Sequence, residues 1–247
     1  MNIIYNIAIA LAVTIIGYLL GSIPNGVIVG KIFYGKDPRD FGSHNSGGTN
    51  VTRLWGFKIG IIVYVLDFLK AVVSIWGTWA ILTFVKFGDR ALIPTTQMML
   101  EGNVEGYLVT WPVYWLAYIG AGIGHCWPIF AKFKGGKAAA VTFAGALFTC
   151  WPAGTIGLIT FFTLLLIKKY VSLSSIVTAI VGTIIGWLTL IPAIGPYMMI
   201  GFTYGLCPGY MYAIAFTVNA VILIYRHKAN IIRLIHHEEN KIGSHKK

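Results

Sequence analysis

The sequence predicts an all-α integral membrane protein, a single polytopic domain over residues 1–247 with about seven helical segments. Hydrophobic residues make up 57% of the 247-residue chain and charged residues only 11%, at a mean hydropathy of +0.75. A soluble domain carries about a quarter charged residues. Apolar runs at 3–30, 59–85, 112–131, 171–193 and 207–225 match the roughly 17–25 residues needed to cross a bilayer. Alternating strands of the outer-membrane barrel kind are absent.

The first run, Ile3 to Val29, has no basic stretch before it and no small-residue cleavage site, so it reads as a retained span and not a signal peptide. Gly21, Pro24 and Gly26 break or kink its far end. The second run carries Asp67 and Lys70 three residues apart. Such an intramembrane pair either serves the function or neutralises itself and orients the helices. The loop at 86–111, with Asp89, Glu101 and Glu105, is expected to be irregular. The stretch 138–167 is too long for one span, and Trp151–Pro152–Ala153–Gly154 interrupts it with turn chemistry. It reads as a short helical hairpin with arms of about 14 residues, each near 20 Å.

Charge fixes the orientation. Of the 19 Lys and Arg, only Lys70, Lys86 and Arg90 stand outside four cytoplasmic-type clusters: 31–58, 132–137, Lys168–Lys169 and the tail after Arg226. A hairpin at 138–167 puts all four clusters on one side. The result is five full spans plus the hairpin, with the N-terminus out and the C-terminus in. The formal net charge of +11 therefore reflects membrane topology, not a nucleic-acid surface; anionic headgroups or anionic substrates are the expected partners. Cys126, Cys150 and Cys207 lack C-x-x-C spacing, so they read as inert packing residues rather than metal ligands.

Three polar clusters meet the basic face. The first continues from the kinked span through Lys31, Asp37 and Arg39 into "GSHNSGGTN", Gly42 to Asn50, and then Arg53. Glycines let backbone N–H groups converge on an anion, Ser43, Asn45, Thr49 and Asn50 add neutral donors, and Arg53 offers a planar fork. A plain hydrophilic connector has the same composition. The second cluster, "GHCWPIFAKFKGGKAAAVT", sets Gly135–Gly136 and Lys137 at a helix opening. Its lysines equally mark a membrane boundary. The third, "YRHKANIIRLIHHEENKIG", puts His227 and Asn230 on one helical face; His236, His237 and His245 read as tail residues. No H-E-x-x-H or other metal spacing occurs in the sequence.

At these clusters the sequence resembles the acyl-phosphate-dependent glycerol-3-phosphate acyltransferases of bacteria, the PlsY family. The family pattern G-S-I-P…G-K…D-x-R…G-S-G-N-x-G-A-T-N-x-x-R is met by Gly21–Pro24, Gly30–Lys31, Asp37, Arg39 and Gly42–Arg53. G-H-x-F-P-x-F…F-x-G-G-K-G is met by Gly124–Lys137. R-H-x-x-N-I-x-R-L…E-x-K is met by Arg226–Arg233, Glu238 or Glu239, and Lys241. The chain departs at His44 and Ala138, where the family has glycine, at Gly48 for alanine and at Trp127 for phenylalanine. A Cβ at position 44 restricts positive φ. The chain is also longer than is typical, with the excess assigned to 86–111 and 190–207.

The resemblance implies acyl transfer from acyl phosphate to the 1-hydroxyl of glycerol 3-phosphate, giving lysophosphatidate and phosphate. It implies no cofactor, no metal, a monomer, and a site at the cytoplasmic face of the bacterial cytoplasmic membrane. By the same resemblance Ser43, Arg53, His227 and Asn230 are catalytic. Gly42, Asn45, Gly47, Gly48, Thr49, Asn50, Gly135, Gly136 and Lys137 bind substrate. Glycines 42–50 and 135–136 are assigned to the acyl phosphate; Arg53, Lys137, His227 and Asn230 are assigned to glycerol 3-phosphate. Whether His227 or a substrate phosphate takes the hydroxyl proton stays open. The rival reading is a transporter or channel for phosphate esters, against which the single-faced clusters and the lack of an inverted repeat weigh. A coenzyme-A-dependent transferase would want H-x-x-x-x-D, which is absent.

Overall fold

The structure is a computed structural model that describes residues 2–87, 90–200, 206–207 and 209–242; Asp89, His245 and the last two lysines fall outside them. Its elements are α1 (Asn2–Gly21), α2 (Asn25–Tyr34), α3 (Gly48–Trp55), α4 (Phe57–Val72), α5 (Thr78–Phe84), the strand pair β1 (Lys86–Phe87) and β2 (Arg90–Ala91), and α6 (Thr96–Glu101). There follow α7 (Trp115–Cys126), α8 (Ala139–Leu147), α9 (Trp151–Lys168), α10 (Val171–Leu188), α11 (Gly195–Met198), α12 (Tyr210–Arg226) and α13 (Lys228–Ile235). The first run breaks at Ser22–Pro24, as its Gly and Pro content predicts. A π-helical turn, Val73–Gly77, joins α4 and α5 into one apolar stretch from Phe57 to Phe84.

Among the described residues, four stretches are long and apolar enough to cross a membrane: Ile3–Tyr34, Phe57–Phe84, Trp151–Lys168 and Val171–Leu188. Tyr210–Arg226 is shorter. Two expectations are corrected. The run at 112–131 holds a helix of only 12 residues, because Pro128 disfavours helical geometry in the residue before it and α7 stops at Cys126. The segment 138–167 is not a pair of equal arms: α8 has 9 residues and α9 has 18. The break falls at Phe148–Cys150 and not at Trp151–Gly154, since Pro152 occupies the first turn of α9. There the missing N–H costs nothing. The loop at 86–111 sends Ile93 and Val109, with the following Val113, into the main core.

Large apolar side chains such as Leu11, Ile15, Leu69, Leu166 and Ile184 face outward, as lipid-facing helix surfaces require. Inside, small residues let backbones touch. A Cβ on Gly17 or Gly21 of α1 would overlap the carbonyls of Ala117 or Ala121 on α7, and one on Gly120 or Gly124 would overlap those of Thr14 or Tyr18. Both helices thus carry small residues four apart in one close crossing. Asn219 of α12 fills the space beside Gly122 and donates to the Tyr118 carbonyl at 3.1 Å. The Tyr118 hydroxyl donates to Thr142 O of α8 at 2.9 Å. Helix α7 is therefore the post around which α1, α8 and α12 are set, and its C-terminal end delivers His125 and Cys126 to the polar face.

Adding one methyl to this crossing tests it. Gly120→Ala is expected to destabilise the protein by about 1–3 kcal/mol through overpacking, read as a lowered thermal midpoint in detergent.

Candidate active site

The three polar clusters converge. Ser43, Gly48, Arg53, Lys137, His227 and Asn230 line one cleft of about 610 Å³, part of it open to solvent. Asn45, Gly47, Thr49 and Asn50 also line it, whereas Gly42, Gly135 and Gly136 stand behind its wall. The last three residues of "GSHNSGGTN" are not loop but the opening of α3, whose N-cap Gly47 supplies no side-chain cap. Its first-turn N–H groups, from Gly48 and Thr49, have no intrahelical acceptor and lie at the cleft with the positive end of the helix dipole.

The side chains divide by whether the protein already uses their polar atoms. Asn50, 2% exposed, is fully committed. Its Oδ1 accepts from Ser43 N at 2.9 Å, and its Nδ2 donates among the carbonyls of Pro38 (2.8 Å), Asn45 (2.9 Å) and Phe41 (3.1 Å). The Asn50 side chain is therefore spent on shaping the loop. Asn45 is likewise occupied: Oδ1 accepts from Gly47 N at 2.8 Å, and Nδ2 donates to Gly135 O at 3.2 Å. The Thr49 hydroxyl pairs with Tyr64 OH at 2.7 Å.

The glycine pair also changes role. Gly135 N donates to Cys126 O and Gly136 N to His125 O, so neither N–H is left for an anion. Their glycine identity is steric: a Cβ on Gly135 would overlap the His125 carbonyl, and one on Gly136 the His125 ring. Their carbonyls receive Asn45 from the first cluster and Arg226 from the third, the latter through Nε to Gly136 O at 3.1 Å and a terminal nitrogen to Gly135 O at 3.3 Å. Arg39, paired with Asp37 at 2.7 Å, adds a bond to Ala131 O at 2.8 Å. The sequence motifs bind one another before they bind anything else.

A second network sets Lys137 and Asn230. Lys137 Nζ donates to Asn230 Oδ1 at 2.6 Å, Asn230 Nδ2 to Glu239 Oε1 at 2.8 Å, and Arg233 Nε to Glu239 Oε2 at 2.8 Å. Ser172 of α10 donates to Glu239 Oε1, the oxygen that also receives Asn230, at 3.1 Å. Burial, then the charges of Arg233, Arg53 and Arg226, opposed by Glu239, lower the Lys137 pKa to about 8. His227, one residue past α12, turns Nδ1 to Leu223 O at 2.8 Å. That carbonyl only accepts, so Nδ1 carries the proton and Nε2 keeps a lone pair. Burial, together with the Lys137 and Arg226 charges, brings the His227 pKa down to about 4, so the ring is neutral at pH 7.

Among the described residues, Ser43 Oγ, the Arg53 guanidinium and His227 Nε2 are cleft-lining groups that no protein atom hydrogen-bonds. Tyr64, Ser172 and Glu239 line the cleft as well; sequence reasoning quoted Glu239 in a motif without giving it a role and missed the other two, which sit in apolar helices. No group of three or more His, Cys, Asp or Glu able to hold a metal ion occurs among the described residues.

A cleft lined by Arg53, Lys137 and His227 at the polar end of an apolar helical bundle defines the class: an integral membrane protein with a basic site at its polar face. A family model described as glycerol-3-phosphate acyltransferase matches residues 11–237. The chain is 36% identical to the glycerol-3-phosphate acyltransferase of Ureaplasma urealyticum, covering 98% of this chain and 95% of that one. It is 40% identical to glycerol-3-phosphate acyltransferase 2 of Bacillus cereus, covering 94% and 95%. It resembles the crystal structure of PlsY, an integral membrane glycerol 3-phosphate acyltransferase, in its glycerol 3-phosphate form, with a TM-score of 0.68, 29% identity, and coverage of 95% and 96%. The chain belongs to the glycerol-3-phosphate acyltransferase (PlsY) family.

The division between occupied and unpartnered groups separates two variants. Ser43→Ala is expected to abolish turnover at an unchanged thermal midpoint, because its hydroxyl has no protein partner to lose. Asn50→Ala should lower both, since it releases the loop.

Proposed function

We propose that this chain is a single membrane acyltransferase domain, monomeric, at the cytoplasmic face of the bacterial cytoplasmic membrane with its N-terminus out and C-terminus in. It transfers a fatty acyl group from acyl phosphate to the 1-hydroxyl of sn-glycerol 3-phosphate, giving 1-acylglycerol 3-phosphate and inorganic phosphate. The observation that carries this reading is the set of unpartnered groups, Ser43 Oγ, Arg53 and His227 Nε2, around the uncapped start of α3 in one cleft.

Two phosphates repel each other, so the site must neutralise both while bringing the hydroxyl oxygen to the acyl carbon. The start of α3 suits the acyl phosphate; Arg53 and Lys137 suit the phosphate of glycerol 3-phosphate. Holding two reactants in attack geometry removes about 7–11 kcal/mol of barrier at best. His227 Nε2 accepts the hydrogen bond of the 1-hydroxyl and turns its oxygen lone pair to the acyl carbonyl. A ring with a pKa of about 4 is a poor proton acceptor near neutrality. The proton therefore goes to the departing phosphate: the ester C–O bond forms, the acyl C–O–P link breaks at carbon, and hydrogen phosphate leaves. Ser43 donates to the oxyanion that develops between these events.

Full-length protein in detergent, given glycerol 3-phosphate and either acyl phosphate or acyl-coenzyme A, tests the reading. Lysophosphatidate and phosphate are expected from acyl phosphate alone. Equal turnover of the thioester would overturn the donor assignment, and solute flux in liposomes without turnover would overturn the enzyme reading.

The Lys137 pKa makes a separate prediction. Its ammonium is charged below about pH 8 and lost above it, so kcat/KM should fall on the alkaline side with a limb near 8. Lys137→Arg should remove that limb from the accessible range, because a guanidinium stays charged.

A further inference from the structure

Tyr64 stands on α4, within an apolar stretch long enough to cross the membrane, yet it lines the cleft. The contact between α3 and α4 there is reciprocal. A Cβ on Gly60 of α4 would overlap the Thr52 hydroxyl of α3, and one on Gly48 of α3 would lie 2.9 Å from three atoms of the Tyr64 ring. The ring therefore rests on Gly48, the position where the family pattern has alanine and this chain carries no methyl. Glycine lets the phenol reach the opening turn of α3, and its hydroxyl closes on Thr49 Oγ1 at 2.7 Å.

Among the described residues neither oxygen has another partner. Two hydroxyls carry two hydrogens, and the bond between them uses one. A phenol is the more acidic donor and an aliphatic hydroxyl the better acceptor, so Tyr64 donates to Thr49. The surplus hydrogen is then on Thr49, next to the Gly48 N–H, and both residues line the cleft. Packing alone would need only the ring, since phenylalanine fills the same space. The hydroxyl, carried by an apolar helix and spent on a cleft residue, is what packing leaves unexplained.

Resting on the acyltransferase reading, we propose that Tyr64 is a positioning residue for the acyl donor. Its hydroxyl holds Thr49 so that the Thr49 hydrogen, beside the free N–H groups that open α3, meets the phosphate of acyl phosphate. The bonds form a chain from Tyr64 to Thr49 to phosphate, in which each polarises and strengthens the next. The ring, seated on Gly48, keeps the same turn of α3 against α4.

The test uses full-length protein in detergent and measures KM separately for acyl phosphate and glycerol 3-phosphate, with inorganic phosphate as an inhibitor. Tyr64→Phe keeps the ring on Gly48 and removes the hydroxyl. It is expected to raise KM for acyl phosphate about threefold and to weaken phosphate inhibition by the same factor. The KM for glycerol 3-phosphate and the thermal midpoint should not move. Thr49→Val removes the donor itself and should raise KM for acyl phosphate about tenfold. An unchanged KM for acyl phosphate in Tyr64→Phe, a rise on both substrates, a rise without weaker phosphate inhibition, or a loss that tracks a lowered thermal midpoint would overturn the proposal. So would a Thr49→Val enzyme less impaired than Tyr64→Phe, since the chain of bonds runs through Thr49. Failure of the wild type to turn over acyl phosphate would instead sink the acyltransferase reading itself.

Discussion

The Gly135–Gly136 dipeptide is where the polar half of the protein is tied together. Its two N–H groups close onto the carbonyls of Cys126 and His125 at the end of α7, and its carbonyls receive Asn45 from the first cluster and Arg226 from the third. None of these bonds survives a side chain at either position, because the approach to His125 leaves no room for a Cβ. Buried hydrogen bonds of this kind contribute about 1 kcal/mol each in net terms but cost more when one partner is stranded. The assembly consequently behaves as one unit, and α7, packed into α1 through glycines on both helices, carries that unit on a rigid post.

This division of labour explains why the cleft can present unsatisfied groups without collapsing. Asn45, Asn50 and the glycine pair spend their polar atoms on bonds within the protein, so the loop keeps its shape when empty. Ser43 Oγ, Arg53 and His227 Nε2 remain without protein partners among the described residues. Preorganised donors and acceptors do not have to reorient during the reaction, which is the condition under which they lower a barrier most. The Glu239 network does the same for Lys137: Asn230 gives its Nδ2 to Glu239 and so must turn Oδ1 to the ammonium.

Much of this was legible in the sequence, and the limits have a physical cause. The break after Gly21, the sharing of one face by three clusters, and the identity of the residues around the cleft follow from glycine, proline and charge placement. Composition could not say which atom of a residue the protein consumes. Asn50 and Ser43 look equally available in "GSHNSGGTN", yet one is spent on four loop groups and the other is free. Gly135–Gly136 resembles an anion nest until its N–H partners on α7 are known. Likewise, Trp151–Pro152 reads as a turn from residue types alone, because proline interrupts a helix interior but suits a first turn. Tyr64 and Ser172 were hidden in apolar helices, where a hydroxyl carries no pattern of its own.

The two positions where this chain has a side chain and its family pattern has glycine lead to the same backbone requirement. His44 has φ of 51° and Ala138 has φ of 58°, so both occupy the left-handed region that glycine enters freely. The loop geometry has been kept and the strain accepted, at a cost of about 1–2 kcal/mol for a residue with a Cβ. At His44 a compensation is visible: the ring Nδ1 lies 3.0 Å from Arg39 O, on the residue that joins the first loop to the second through Ala131 O. At Ala138 the methyl is fully buried at the N-cap of α8, between Lys137 and the helix it precedes, where it gains packing that glycine would lack. Keeping a strained backbone is favourable only if its alternative moves Lys137 or Ser43, the neighbours of these two positions. The site tolerates a change of residue there because other contacts enforce the backbone path.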